Sequence, residues 1–182
     1  AEFAAKTSYA QLPSEVISLI KNDLVDTIGN ILAGSSDPIV APLLEVIRTE
    51  KALGNATIAV WSDRLSPRQA AFINAVMGFA LDYDDINEPA TLHAGVALIS
   101  SVLAIVQQYA PIDGEQLICA IAVALEIVCR LGKYMNRRTP EQIMGGWDYA
   151  SLLGYFSSAT AAAKLMQLSQ DQIQNAMGIA YH

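Results

Sequence analysis

Histidine, cysteine and basic charge are all scarce in this chain of 182 residues. Lys and Arg total 11 against 18 Asp and Glu, for a net charge of −7. That balance argues against a nucleic-acid partner, whose phosphates would meet an anionic surface. Beyond Arg137-Arg138, which reads as solvated surface, no basic cluster stands out. The two cysteines, Cys119 and Cys129, lie ten residues apart in one predicted helix. Ten helical residues span about 15 Å, too far for a disulfide. They read as free, buried thiols suited to a reducing cytoplasm.

Long apolar runs are also missing. A membrane span needs about 20 apolar residues. Residues 94–106 are interrupted by Ser100-Ser101, and residues 117–128 contain Glu126. Both read as core helices, so no membrane partner is expected. No basic segment followed by an apolar core opens the chain, so no signal peptide is expected. The first residue is not Met, which reads as a processed or trimmed piece. No internal repeat or low-complexity linker appears.

What is present is hydrophobic side chain, 53% of the residues, with only 16% charged. This is the composition of a core-rich globular protein, and the length suffices for one domain. Helix signals recur. "LPSEVISLIKNDLVDTIGNILAG" places Pro13 in a first turn and Gly34 at a stop. "SDPIVAPLLEVIRTEKALG" repeats the logic between Asp37-Pro38 and Gly54, and "SPRQAAFINAVMGFALDYDD" opens on Ser66-Pro67. Asp113 with Gln116 and Ser169 with Gln172 have capping-box spacing. The Asp113 helix is expected to stop at Gly132, and Thr139-Pro140 to begin a short turn. Only "ATIAVWS", residues 56–62, reads as a strand. The expectation is an all-α fold, a multi-helix bundle of about eight helices in one domain over residues 1–182. Tyr181-His182 ends the last helix without a Gly or Pro stop, which reads as a domain cut at its C-terminal end.

One stretch breaks the pattern. "LDYDDINEPATLH", residues 81–93, sets Asp82, Asp84, Asp85 and Glu88 beside His93, one of two histidines. Helical periodicity runs up to Asp82, Pro89 disfavours helix at Glu88, and a new apolar run starts near His93. Loops held by rigid helices are common places for sites. An imidazole oriented by a carboxylate can move a proton, so Asp82 and His93 form a candidate acid–base pair. Asp85 is expected to serve the loop's own hydrogen bonds. The bland alternative is a solvated polar loop. Residues 84–88 also have the form DDxxE, similar to the magnesium-binding motif of all-α isoprenoid synthases. That motif needs carboxylates one helical turn apart, and Pro89 interrupts the face, so no metal is expected on Asp84, Asp85 and Glu88.

The order of four phrases resembles the MmgE/PrpD family of methylcitrate dehydratases, cis-aconitate decarboxylases and an iminodisuccinate epimerase. They are "LVDTIGNILAG" (24–34), "AAFINAVMGFALDYDD" (70–85), "ALEIVCRLG" (124–132) and "SSATAAAKLMQLSQDQIQNAMGIA" (157–180). The resemblance implies a helical domain, continued elsewhere by an α/β lid that supplies basic groups for substrate carboxylates. It implies a homodimer formed through helices, a small carboxylate substrate and no cofactor. Asp82 matches the first Asp of the family's D-[FY]-D-D phrase, and His93 the histidine that follows it, with Ala94 where proline is usual. Glu126 and Arg130 match the family's Glu…Arg-Leu-Gly helix and, as an i,i+4 pair, read as structural.

Three departures bear on function. Ile86 stands where the family has Thr, Phe79 where it commonly has His, and Asp148 where it has a site histidine. Asp148 would border the substrate, and an aspartate there repels a carboxylate. The substrate would then carry less negative charge than a tricarboxylate, or the chain is a divergent member. The functional expectation is a lyase or isomerase working by proton abstraction next to a carboxylate. A catalytically inactive helical assembly or binding module is the alternative, and a magnesium-dependent isoprenoid-synthase-like enzyme a third.

Overall fold

The computed structural model describes residues 1–50, 54–109, 111–135 and 149–182. Arg137-Arg138, the turn expected at Thr139-Pro140, and Asp148 lie outside the described residues.

Eight α-helices account for most of the described residues. They are α1 (Glu2–Lys6), α2 (Ser14–Gly34), α3 (Val40–Thr49), α4 (Pro67–Phe79), α5 (Gly95–Gln108), α6 (Gly114–Met135), α7 (Tyr149–Leu165) and α8 (Gln170–Tyr181). The all-α bundle expected from the sequence is the fold observed. Local chemistry explains several starts. Ser66 accepts from the Gln69 amide at 3.4 Å with Pro67 next in line, so α4 begins on a side-chain cap. Ser169 and Gln172 cap α8 reciprocally, as Asp113 and Gln116 do for α6.

Two details depart from the sequence reading. The segment at 56–62 is a strand only at Ala56–Thr57, paired antiparallel with Arg64–Leu65. Helix side chains satisfy part of its backbone instead of further strand. Gln107 of α5 accepts from the Thr57 amide at 2.6 Å, and Asn74 of α4 bonds both Ala59 N–H and Thr57 C=O. The second departure is Gly132, which does not end α6. The helix continues to Met135, and Gly132 is buried within it. Its role is close approach. A Cβ there would stand 2.8 Å from Ala90 Cβ and 2.9 Å from Leu92 Cδ2.

Helix α5 runs through the core. Leu98, Ile99 and Val102 are fully buried, packed with Ile20 of α2, Ile121 of α6 and Ala161 of α7. A second cluster joins α2, α3 and α4 through Ile31, Leu44, Ile73 and Met77. Fully burying side chains of this size contributes about 1.5–3 kcal/mol each, so α4 and α5 are firmly held. The loop of interest hangs between them. Among the described residues, no helix is long and apolar enough to cross a membrane.

Candidate functional site

The loop from Ala80 to Ala94 is polar in sequence and anchored in fact. Helix α4 ends at Phe79, and the Asp82 amide still donates to the Phe79 carbonyl at 2.9 Å. Asp82 then takes φ +55°, a left-handed conformation unusual for a residue with a Cβ. This turn ends the helical path. Farther on, the Asn87 amide donates to Leu92 C=O at 2.9 Å, closing a tight turn around Pro89. Ala90 and Leu92 are buried against α6 and α7 beside Val128 and Leu153. Asn30 of α2 holds the near end, donating to Tyr83 C=O at 3.4 Å. The bland reading of a solvated loop does not describe this segment.

Three of its side chains converge. Nδ1 of His93 lies 3.2 Å from Oδ2 of Asp84. The Asp84 side chain is 1% exposed and that of His93 27%. The approach is within ion-pair distance but off the line of a hydrogen bond. Both Asp84 carboxylate oxygens and His93 Nδ1 are buried without a hydrogen-bond partner. Asp82, which is exposed, brings a carboxylate to the same place, so that one atom from each of the three residues lies within 4.8 Å of the others. The Phe79 ring meets the His93 ring edge-on at 5.9 Å between centroids. Burial pushes the Asp84 carboxyl above its ordinary range, and the nearby His93 pulls in the opposite direction.

Asp85 faces the other way. Its Oδ1 accepts from the Gly95 amide at 2.9 Å and its Oδ2 from the Ala94 amide at 3.3 Å. Two orphan donors at the start of α5 are satisfied, and a negative charge meets the positive end of the helix. With both oxygens engaged by the backbone, Asp85 is poorly disposed to share a magnesium ion with Asp84. Burial raises its carboxyl too, against the lowering effect of the two amide donors.

Behind Asp85 lies a cleft of about 500 Å³ between α2 and α6. Its walls include Ile20, Asp23 and Asp26 of α2, Asp85 and Ile86 of the loop, and Cys129 of α6. Asp82, Asp84 and His93 are not among those walls. Asp85 therefore separates two places, the buried contact at His93 and the acidic cleft. The Asp23 carboxyl is pushed up to about 7, first by burial and then by the charges of Asp85 and Asp26. Cys129 is pushed up to about 11, first by burial and then by the charges of Asp85, Glu126 and Asp23. Cys119 is buried and Cys129 only half-buried, lining the cleft, so the expectation of two buried thiols holds for Cys119 alone; neither is in a disulfide. Arg130 and Glu126 form their i,i+4 ion pair on α6.

Sequence reasoning placed Asp82 and His93 together, and the structure brings both to one point. It missed Asp84, the side chain in direct contact with His93. The spacing alone did not show it, because the backbone turns at Asp82, where φ is +55°, and that turn decides which acid meets His93. It also missed Asp23, which sits between Ile20 and Thr27 on the buried stripe of α2.

The family model for the MmgE/PrpD N-terminal domain matches residues 1–182. The chain is 28% identical to the cis-aconitate decarboxylase of Homo sapiens over 93% of its own length and 35% of the human protein. It is 25% identical to the cis-aconitate decarboxylase of Aspergillus terreus over 98% of its length and 37% of that protein. A cis-aconitate decarboxylase-like protein of Aspergillus oryzae is 26% identical over 94% of the chain and 36% of the relative. The chain thus spans about a third of these relatives.

Proposed function

The chain belongs to the MmgE/PrpD family, and from that premise we propose that it is the helical part of a lyase or isomerase acting on a small carboxylate substrate. The reaction begins with removal of a proton from the carbon next to a carboxylate. The resulting carbanion expels a group from the neighbouring carbon or is protonated again. Dehydration and epimerisation follow this order; in decarboxylation the electron pair comes instead from the C–C bond as CO2 leaves, and an acid–base group delivers a proton to the carbon skeleton. The relatives' names support the carboxylate class, since they are described as cis-aconitate decarboxylases.

The observation that carries the reading is the buried Asp84 carboxylate 3.2 Å from His93 Nδ1. A carboxylate on one ring nitrogen fixes the ring and stabilises it when it gains a proton at the other. His93 then moves the proton through Nε2, and Asp82 serves as the second acid–base group. Asp84 is a positioning residue. Asp148 borders the substrate on the strength of its match to the family histidine. Turnover needs no metal or organic cofactor. Residues of a lid supply the cationic groups for the substrate carboxylates, the working enzyme is a cytoplasmic homodimer, and the helices form the interface. A monomer in sedimentation at micromolar concentration would refute the dimer.

Proton exchange provides the test. The full-length protein is incubated in D2O with cis-aconitate and with smaller dicarboxylates, and deuterium at the carbon beside the carboxylate is followed by NMR. Exchange with at least one of these is expected. No exchange and no turnover with any of them, in a folded full-length protein, would favour the inactive binding module. The Phe79 ring packed against His93 is the feature that speaks for that rival.

A further inference from the structure

The Asp84 carboxylate and His93 Nδ1 meet at 3.2 Å in the interior, yet their approach is off the line of a hydrogen bond. The Asp84 oxygens and His93 Nδ1 all lack hydrogen bonds, and the Asp84 side chain is 1% exposed. Buried polar groups in this state are costly unless something completes them. Asp82 adds a third ligand atom within 4.8 Å of the other two. We infer that Asp82, Asp84 and His93 form a binding site for a zinc-class divalent cation, which inhibits the protein by holding the groups that handle the proton.

The donor set supports this assignment. Two carboxylates balance a charge of +2. An imidazole favours zinc, cobalt or nickel over magnesium and calcium, which prefer all-oxygen shells. Bonds of about 2.0 Å in a tetrahedral shell separate neighbouring ligand atoms by about 3.3 Å. The His93–Asp84 separation of 3.2 Å already fits, so Asp82 alone has to close in. Three protein ligands leave one position for water.

The supports of the cluster are rigid. Ala90 and Leu92 are locked into the core before His93, and Asp85 ties the loop to α5 after it. Little ordering is therefore left for the cation to impose. This site differs from the one the DDxxE spacing suggests, because Asp85 and Glu88 take no part. The binding claim stands on geometry alone. The inhibition rests on the acid–base reading above.

The experiment is calorimetric titration of the full-length protein, stripped with chelator, with zinc chloride at pH 7 and with magnesium chloride as comparison. One zinc per chain is expected, bound at least a hundredfold more tightly than magnesium. Asp84→Asn and His93→Gln should each weaken zinc by tenfold or more, while Glu88→Gln, at an exposed position, leaves it unchanged. Cobalt on the wild-type protein gives a second readout, a visible absorption of tetrahedral type that zinc abolishes. Zinc affinity unchanged in both Asp84→Asn and His93→Gln would overturn the assignment, and so would lack of the cobalt band. Turnover separates this from the functional reading. If stripped protein is active and binds no zinc, only the cation inference fails. If zinc binds as expected but His93→Gln retains full turnover, the acid–base reading fails and the site stands.

Discussion

Asp85 joins the loop to α5 through Gly95, whose amide donates to the Asp85 Oδ1 at 2.9 Å. The absence of a side chain at Gly95 makes this possible. A Cβ there would lie 2.5 Å from that same oxygen and 3.0 Å from Oδ1 of Asp23. Replacing Asp85 by Ala should therefore cost about 1–2 kcal/mol, the usual loss for a helix cap. Urea denaturation of the two proteins measures the difference. Turnover should fall further than the cap alone explains, because Asp84 and His93 flank the lost anchor.

Asp23 gives stability a pH dependence. Its folded pKa, about 7, lies above the ordinary 3.8. Folding therefore holds a proton between those values, so stability is complete below about pH 4, declines as pH rises and levels off above about pH 7. Asp23→Asn keeps the shape and removes the titration. Calorimetry should find the variant and wild type melting together near pH 4, with the variant about 3 °C or more higher near pH 8. A variant that melts lower at pH 8 would show that the Asp23 charge is supported by some group other than those named.

Gly132 predicts a packing defect. A methyl group there meets Ala90 and Leu92, both buried. Gly132→Ala should destabilise by about 1–3 kcal/mol, as overpacked cores do, despite Ala being the better helix former. Thermal unfolding checks the sign. A stabilised variant would mean that the loop yields easily.

On the proposed acid–base reading, Asp82→Asn and His93→Gln should each lower turnover of the full-length protein by about a hundredfold, within the usual range for a lost acid–base group. Stability should change little at Asp82, which is exposed, and modestly at His93. Equal turnover in all three proteins would remove both from the chemistry.

The fold was largely legible because its signals are local. Pro67 after Ser66, the Ser169–Gln172 pair and the Asp113–Gln116 pair each act within four residues, and each sits where a helix begins. Contacts between distant residues left weaker traces. Nothing in "ATIAVWS" announces that Gln107, fifty residues later, takes the Thr57 amide in place of further strand. Gly132 reads as a stop because a glycine near a helix end usually is one. Here it is spaced to admit Ala90 and Leu92. The site was half legible for a related reason. Composition marked the loop, but the partner of His93 depends on which way the backbone turns at Asp82, where φ is +55°.

The packing of Ala90 and Leu92 into α6 also has an evolutionary consequence. Positions 90, 92 and 132 share one volume, so they can change only together. A bulkier residue at 132 is best accommodated with the loss of side-chain volume across from it, and a chain that made the exchange in the wrong order would pass through a destabilised ancestor. Transplanting the segment 82–93 onto another helical scaffold therefore requires carrying its gap in α6 along with it. The heritable unit is the loop and the notch that receives it.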